Sequence, residues 1–388
     1  MLLEASEDEK LVEDFKLGYG GAETGCYDIA HFLAEKDCKS IIVTSGGPLI
    51  KFVRKKKVKI IKLPVHLKNP FVILFNTFAL VLLQIIYRID IVHARSRAPA
   101  WACYWSTFFT RRKFVTTFHG TYNFKNKFKK FYNSVMVKSQ LTIAGSNFIF
   151  NHINENYETY LSNKRRLLVI FRGINLNYFD PKNISDVKLL KLKKEWGIED
   201  DNFKILLPGR LTNWKGQLNF IEALNILIED YKNDKFQAII LGSDQGRNVY
   251  KKKLQSLIDR YNLNKKIIFV EHCKEMPLAY STSDIVVSSS IEPEAFGRVA
   301  VEAQAMQKPV IATKLGGSME TVVNNKTGVL YKFDDPRELA KNINSFMEID
   351  KLALNIMGVE GRKNVMKKFD VDKMCQSTFN EYKKLLNL

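Results

Sequence analysis

The chain has 388 residues and is 46% hydrophobic, which is enough for two or three domains with sizeable cores. Its five cysteines are odd in number and include no CxxC pair, which argues against disulfides and zinc and for a reducing compartment. The formal net charge of +19 favours anionic partners such as a phospholipid surface, a phosphorylated glycolipid or nucleic acid.

The positive charge is concentrated in the first part of the chain. Residues 1–172 hold 27 basic and 13 acidic residues, and no acidic residue lies between Asp90 and Glu155. The basic residues of this stretch include Arg95, Arg97, Arg111, Arg112, Lys113, Lys125, Lys127, Lys129 and Lys130. A functional basic surface and a lysine-rich genomic composition both explain this distribution.

The N-terminal segment, residues 1–17, is polar and mostly acidic, and it shows no signal peptide. A strand over Leu11-Val-Glu-Asp-Phe15 would bury two carboxylates at a cost of several kcal/mol each. We therefore predict that the first strand is degenerate or missing and that the first domain is less stable than the second. A glycine-rich turn ending in Gly20 and Gly21 follows, but it does not complete the GxGxxG dinucleotide motif.

Strand-like runs then alternate with helical patterns, which predicts a parallel, doubly wound sheet. The predicted strands are 40–45, 58–63, 90–93, 114–118, 141–144 and 168–171. The apolar run from Phe71 to Tyr87 has 17 residues, the lower limit for a membrane span, and we interpret it as a core or interfacial helix.

Polar residues follow the strands of this first series. His119 stands at one strand end, and Arg95 and Arg97 follow another. The two arginines are candidates for binding an anionic acceptor, and a structural or solvated role fits them equally well. The pattern breaks after Arg172, which places a domain boundary there and predicts a first domain over residues 1–172.

A second series of strands and helices predicts a second domain over residues 173–370. Its predicted strands are 204–207, 237–241, 267–270, 284–288, 309–312 and 328–331. Arg210 and Lys215 flank a turn at the end of the first of these strands, where a guanidinium fork and an ammonium group can hold a diphosphate. Asp370-Val-Asp372 precedes a helix, so it is interpreted as a helix cap rather than a metal site.

The stretch from Asp284 to Glu320 carries two further carboxylates. Glu294 lies in the loop between a buried strand and a buried helix, and Glu302 lies about two turns into that helix. The amides of Phe296 and Gly297 precede the helix N-terminus, which is a typical anion site. An ion pair with Arg298 is the structural alternative for Glu302.

This stretch resembles the donor-site signature of family 4 retaining glycosyltransferases of the GT-B fold. The resemblance rests on Glu294, seven intervening residues and Glu302, with Pro309-Val-Ile-Ala-Thr, Gly316-Gly317 and the upstream Pro208-Gly-Arg210 segment. The pattern from Arg298 is most like bacterial enzymes of lipopolysaccharide or other cell-surface polysaccharide synthesis. One departure is Gln307, where the family commonly has Gly two residues before the Pro, and we expect only a local backbone change there.

The resemblance implies two Rossmann-like domains facing each other across a cleft, with residues 371–388 as a helix crossing back to the first domain. It implies that Arg210 and Lys215 hold the donor diphosphate, that Glu302 binds the ribose and that Glu294 binds the sugar hydroxyls. It further implies a sugar contact for His119 and a close approach of Gly20 and Gly21 to donor phosphate and acceptor. Sugar transfer would proceed with retention, without a metal ion or other cofactor.

The expected partners are a nucleotide-sugar donor and a glycolipid or polysaccharide acceptor. An anionic membrane surface is also expected, with the enzyme cytoplasmic and peripheral on the inner face, and no nucleic acid. The alternatives are a sugar-nucleotide epimerase, a weakened or inactive glycosyltransferase, a glycoside hydrolase and a basic nucleic-acid-binding protein. A glycoside hydrolase would also use two carboxylates, but it would have no role for Arg210 and Lys215. Nucleic-acid binding would explain the positive charge but not Glu294 and Glu302.

Overall fold

The computed structural model describes residues 21–161, 166–246 and 248–388. The chain divides into two compact units. Unit 1 comprises the chain up to Gly173 together with Val371–Leu388, and unit 2 comprises Ile174–Asp370. The prediction of a degenerate first strand over residues 1–17, and the glycine at position 20, lie outside the described residues.

Both units alternate strands and helices along the chain. The described strands are β1 Ser40–Thr44, β2 Val58–Lys62, β3 Ile91–Ala94, β4 Lys113–Phe118, β5 Leu141–Ala144, β6 Arg166–Val169, β7 Phe203–Pro208, β8 Phe236–Leu241, β9 Ile267–Val270, β10 Ile285–Ser288, β11 Val310–Thr313 and β12 Gly328–Tyr331. The described helices are α1 Gly21–Glu35, α2 Pro70–Ile86, α3 Arg97–Thr110, α4 Lys127–Asn133, α5 Asn147–Tyr157, α6 Asp186–Trp196, α7 Gln217–Glu229, α8 Asn248–Arg260, α9 Met276–Ser281, α10 Arg298–Ala305, α11 Ser318–Thr321, α12 Pro336–Glu348, α13 Lys351–Lys368 and α14 Val371–Leu386.

Unit 2 has one parallel sheet in the order β12-β11-β10-β7-β8-β9. Its central strands are short, β-branched and fully buried, as in Ile285-Val-Val, because helices cover both faces of a doubly wound sheet. The chain proceeds from β7 toward β9 on one side and from β10 toward β12 on the other. The predicted doubly wound α/β fold is confirmed here.

Unit 1 has a four-stranded parallel sheet, β3-β4-β5-β6, and a parallel pair, β1-β2. Helix α1 joins them, because Cys26 packs with the apolar residues of β1 and β2 while Ile29 packs on β4 and β5.

The last helix, α14, belongs to unit 1 and packs against α1. The hydroxyl of Tyr382 lies 2.5 Å from Nδ1 of His93, and Arg166 donates to Glu381 at 2.6 Å. Asp372 lies in the first turn of this helix, where a carboxylate favourably meets the helix dipole.

Helix α2 covers most of the apolar run from Phe71 to Tyr87, for which a core or an interfacial helix was expected, and one of its faces is exposed rather than packed in the core. Phe71 is 82% exposed and Phe78 is 60% exposed. Within the described part of the chain, no helix combines the length and the apolar character needed to span a membrane.

Candidate functional site

The order of the unit 2 sheet reverses between β7 and β10, which are hydrogen-bonded neighbours. In open α/β sheets, ligands bind at this reversal, outside the carboxyl ends of the strands. The loop after β7 leads into α7, and the loop after β10 leads into α10. Two helix N-termini therefore begin at this edge of the sheet, where their amides favour an anion.

The two loops are held together by a buried ion pair. Nζ of Lys215, from the β7 loop, donates to Oε1 of Glu294, from the β10 loop, at 2.7 Å, and Ser290 donates to the same oxygen at 2.6 Å. The two charged side chains are 14% and 10% exposed. The ammonium group also lies 4.3 Å from the ring centroid of Trp214. The sequence predicted both charged residues for this site, and the structure brings them into contact.

Electrostatics keep the Glu294 carboxylate ionised. Burial acts to raise its pKa, but the charge of Lys215 and the hydrogen bonds from Lys215 and Ser290 outweigh burial, so the pKa lies below its ordinary value. The site therefore presents a fixed, ionised carboxylate beside the Lys215 side chain.

Glycines allow the loops of this edge to approach one another. A methyl group at Gly216 would lie 1.9 Å from the carbonyl oxygen of Ser289, and Gly216 also has a left-handed φ of 71°. A methyl group at Gly316 would lie 2.6 Å from the carbonyl oxygen of Glu294, and the Gly317 amide donates to that oxygen at 2.7 Å. The Gly316-Gly317 motif thus supports the loop that carries Glu294.

Glu302 lies deeper, on α10, and is buried. The Nε of Arg298 donates to one carboxylate oxygen, and the hydroxyl of Tyr280 donates to the other at 2.8 Å. The ion pair offered as the structural alternative is therefore present. The side chain of Phe296 is also structural, since its ring packs edge-on against Phe369 at 5.4 Å.

Arg210 differs from Lys215 in that its side chain is exposed. Its guanidinium forms no hydrogen bond or ion pair with the described residues, although it is close enough for its charge to help lower the pKa of Glu294. The main chain of Arg210 is fixed, because Gln217 of α7 donates to its carbonyl oxygen at 2.8 Å. An exposed guanidinium on a fixed backbone is available for an anionic ligand.

Unit 1 has its own polar cluster at the carboxyl ends of β3 and β4. The Nε of Arg95 donates to Nε2 of His119 at 3.1 Å, and Arg95 also reaches the carbonyl oxygen of Gly25. Burial, followed by the charges of Arg95 and Arg172, holds the pKa of His119 well below its ordinary value. A methyl group at Gly21 would lie 2.3 Å from the guanidinium of Arg172, so a larger residue there would displace that guanidinium.

The two arginines suggested for an acceptor are both buried. Arg95 is 5% exposed and Arg97 is 8% exposed. Arg97 donates to Asn133 at 3.1 Å and stacks over the ring of Tyr122 at 4.4 Å. The structure thus gives Arg97 internal partners and places Arg95 against His119.

Three residues of these clusters were not predicted as site residues, because no sequence motif marks them. Tyr280 lies 22 positions before its partner Glu302, Arg172 lies far from Gly21 in the sequence, and Ser290 is one of three consecutive serines. Only the fold brings them to their partners. Among the described residues, no group of three His, Cys, Asp or Glu side chains is placed to hold a metal ion.

Two family models match this chain. A model described as Glycosyltransferase Family 4 matches residues 19–178, and one described as Glycosyl transferases group 1 matches residues 190–363. An uncharacterized glycosyltransferase of Methanocaldococcus jannaschii is 30% identical over 220 residues, which are 56% of this chain and 54% of that protein. The chain thus spans about half the length of that relative.

Solved structures match over nearly the whole chain. A glycosyltransferase from Rickettsia africae ESF-5 is 38% identical with a TM-score of 0.86, covering 95% of this chain and 96% of that one. Anabaena HepE, solved in complex with UDP-glucose, has a TM-score of 0.78 and 23% identity, covering 94% and 96% of the two chains.

Proposed function

Because the chain belongs to the group 1 family of glycosyltransferases and has their GT-B fold, we propose that it is a hexosyltransferase that uses a nucleotide-sugar donor. The acceptor is a glycolipid or a cell-surface polysaccharide, as in lipopolysaccharide synthesis. Transfer retains the configuration at the anomeric carbon and needs no metal ion.

The observation that carries this proposal is the Lys215–Glu294 pair at the point where the sheet order reverses. A nucleotide-sugar has a diphosphate and sugar hydroxyls, which require a cation and a hydrogen-bond acceptor side by side. Arg210 and Lys215 hold the diphosphate, and their charge stabilises the negative charge that develops as the diphosphate leaves.

The carboxylates of the site have separate tasks. Glu294, which is ionised and fixed by Lys215, accepts hydrogen bonds from the sugar hydroxyls. Glu302 accepts from the ribose, which requires that a ribose hydroxyl displace or share the contact with Arg298. His119, Gly20 and Gly21 keep the roles that the family resemblance implies.

The donor proposal has support from one structural neighbour, because Anabaena HepE was solved with UDP-glucose. We therefore propose a uridine diphosphate sugar as the first donor to test. We further propose that the enzyme works from the cytoplasm on an anionic membrane surface, since the basic excess lies in the part of the chain that forms unit 1.

Calorimetric titration of the purified chain with UDP, GDP and ADP tests the donor site. We expect one of them to bind, and we expect Arg210→Ala to weaken that binding roughly 10- to 100-fold through loss of a charge-assisted contact. Because the Arg210 side chain is exposed, its removal should leave the melting temperature unchanged. Arg337→Ala, which removes another exposed arginine of unit 2, is the matched control and should bind normally.

Two further results separate binding from transfer. Glu294→Gln should impair sugar transfer while leaving the binding of the free nucleoside diphosphate nearly intact. Absence of binding by the unmodified chain at millimolar nucleotide would overturn the donor-site assignment. Turnover of the donor without any acceptor would instead favour an epimerase.

A further inference from the structure

Helix α2 buries its polar residues and exposes a face of apolar residues, which is the reverse of a surface helix of a globular protein. Asn76, Thr77 and Gln84 are each 2% exposed. Gln84 donates to Ser106 at 2.8 Å and accepts from Thr110 at 2.6 Å, so α2 is attached to α3 through a buried polar contact. This arrangement leaves much of the apolar side of the helix exposed, without a partner among the residues of unit 1 that the structure describes.

The outward side of α2 is a continuous apolar stripe. Its members repeat at three- and four-residue spacing, which places them on one helical face. The exposed residues are Phe71, Leu74, Phe75, Phe78, Leu82, Ile85 and Ile86, each between 54% and 82% exposed.

The apolar surface continues onto α3 and α4. Phe108 and Phe109 are 66% and 63% exposed, and their rings lie 5.8 Å apart. Trp105 contacts Phe108 at 6.2 Å, which extends the aromatic surface along α3. On α4, Phe128 is 79% exposed. We call these exposed residues of α2, α3 and α4 the α2–α4 face.

The charged residues of the three helices that form this face are all basic. Helices α2, α3 and α4 contain no Asp or Glu, and α4 alone contains three lysines. Arg88 and Arg111 follow the last turns of α2 and α3, and both are exposed. An apolar face that is rich in aromatic residues and flanked by cations is complementary to a bilayer with anionic headgroups. Its apolar side chains match the acyl chains, and the cations match the headgroups.

We infer that the α2–α4 face docks onto an anionic phospholipid bilayer, with the α2 and α3 aromatic and aliphatic side chains entering the headgroup boundary. This inference deepens the proposed membrane association and names its surface, and it does not depend on the donor site. Stable binding of this kind takes two signals, apolar insertion and basic attraction, and the face supplies both.

Flotation with phosphatidylglycerol-containing vesicles and with pure phosphatidylcholine vesicles tests this inference. The full chain should bind the anionic vesicles more strongly, and added salt should weaken binding without abolishing it, because screening acts only on the charges. The triple variant Phe75→Ser, Phe78→Ser, Leu82→Ser should bind roughly 100-fold more weakly, since each change removes a side chain available for insertion. A second triple variant replaces three lysines: Lys125→Gln, Lys127→Gln, Lys129→Gln. It should mainly lose the part of the vesicle binding that salt weakens.

A matched control keeps the count of exposed apolar residues equal. Leu190→Ser, Val249→Ser and Leu352→Ser remove three side chains of unit 2 that are 62%, 84% and 65% exposed. This variant should bind vesicles like the unmodified chain. All variants should keep the melting temperature and nucleoside diphosphate affinity, so that loss of vesicle binding is separated from misfolding and from failure of the proposed transferase function.

Quenching of tryptophan fluorescence by brominated lipid gives a second measurement on the unmodified chain. Trp105, which is 42% exposed, should be quenched, and Trp105→Phe should lose most of that signal. The inference is overturned if the α2 triple variant binds vesicles normally, or if the unit 2 control loses binding equally. It is also overturned if sedimentation shows a dimer that the α2 variant converts to monomer, since a second copy then covers the face.

Discussion

The contact between Arg95 and His119 decides which imidazole nitrogen carries a proton. The guanidinium can only donate, so Nε2 of His119 must accept and the proton must lie on Nδ1. Nδ1 is buried and has no hydrogen-bond partner among the described residues. His119 therefore presents an N–H donor, and Arg95 acts as a positioning residue for it.

Nitrogen-15 NMR of the ligand-free chain tests this tautomer. The His119 signals, identified by their loss in His119→Gln, should show a protonated Nδ1 and an unprotonated Nε2. Arg95→Met should mix the two tautomers and raise the pKa of His119, because it removes both the donor and a nearby charge. Arg97→Met, which removes a buried arginine bonded to Asn133, is the control and should leave the tautomer unchanged. A protonated Nε2 in the unmodified chain would contradict the assignment.

Gln307 is the residue that departs from the family pattern, and it lies at the end of α10 in a conformation that favours glycine. Helix α10 ends in a Schellman motif, in which the Lys308 amide donates to the carbonyl of Ala303 and the Gln307 amide to that of Gln304. Gln307 has the left-handed φ of 56° that this motif requires. Gln307 thus adopts a left-handed conformation that costs a residue with a Cβ more than it costs glycine.

Replacing this residue by glycine should therefore stabilise unit 2. We expect Gln307→Gly to add about 0.5–1 kcal/mol to the free energy of unfolding, since glycine adopts this φ without steric cost. Gln255→Gly, in the middle of α8, is the matched control and should lose about 1 kcal/mol. Chemical denaturation measures both, and a loss of stability in Gln307→Gly would show that the side chain contributes more than the strain removes.

At the scale of elements, α13 packs on α10 through two glycines. A methyl group at Gly358 would lie 2.1 Å from the carbonyl oxygen of Gln307, and one at Gly361 would lie 3.0 Å from the Cγ of Gln304. The first obstacle is backbone at a very short distance, and the second is the buried Gln304 side chain at a distance that needs a shift of only a few tenths of an ångström. The two positions thus differ in how much the helix pair must shift.

We expect Gly358→Ala to destabilise unit 2 by about 1–3 kcal/mol, even though alanine is the better helix former. Gly361→Ala should cost clearly less, and equal losses would contradict the close contact at Gly358. Thermal denaturation of the two variants is sufficient, and nucleotide affinity should stay unchanged in both.

The elements themselves were largely predictable from the sequence, because buried parallel strands are short β-branched runs and helices cover the intervals between them. The strand predicted at 284–288 corresponds to β10, and that at 141–144 to β5. Helix α2 was the exception. The apolar run predicted the helix but could not show which of its faces is buried, because only three polar residues distinguish the two faces. These three polar residues are on the buried face.

At the scale of the whole molecule, the alternation of strands and helices predicted two doubly wound units. The motif residues predicted a ligand site at one edge of the sheet in unit 2. Periodicity could not pair Tyr280 with Glu302 or Arg95 with His119, because those contacts join distant parts of the chain. It also could not show that Arg95 and Arg97 are buried, since charged residues ordinarily stay at the surface.

The histidines are unevenly divided between the units, and this should make their stabilities respond differently to pH. Five of the six lie in unit 1, and unit 2 has the exposed His272. Burial is the largest cause that lowers the pKa of His31 and His152, and it holds the pKa of His93 and His119 well below the ordinary value. At mildly acidic pH these four side chains therefore bind fewer protons in the folded chain than in the unfolded chain.

A histidine with a lowered pKa binds fewer protons in the folded state than in the unfolded state. Its contribution to stability is complete above the unfolded pKa of about 6.5 and falls as the pH drops toward the folded pKa. His93 and His119 should each remove about 1.4 kcal/mol per pH unit in that range. The ionised carboxylates of Glu294 and Glu381 have lowered pKa values as well, but they begin to lose stability only as the pH falls below about 4.5.

Unit 1 should therefore lose stability between pH 6.5 and 5, while unit 2 should not. Hydrogen exchange at the two pH values, corrected for the intrinsic exchange rate, reports both units in one experiment, with β4 as the probe of unit 1 and β10 as the probe of unit 2. Protection should fall in β4 and persist in β10. His93→Gln keeps a polar group beside Tyr382 and Thr117 but does not titrate, so it should reduce the pH dependence of unit 1 by about one proton. Equal loss of protection in both strands would place the acid-sensitive groups elsewhere than in the buried histidines.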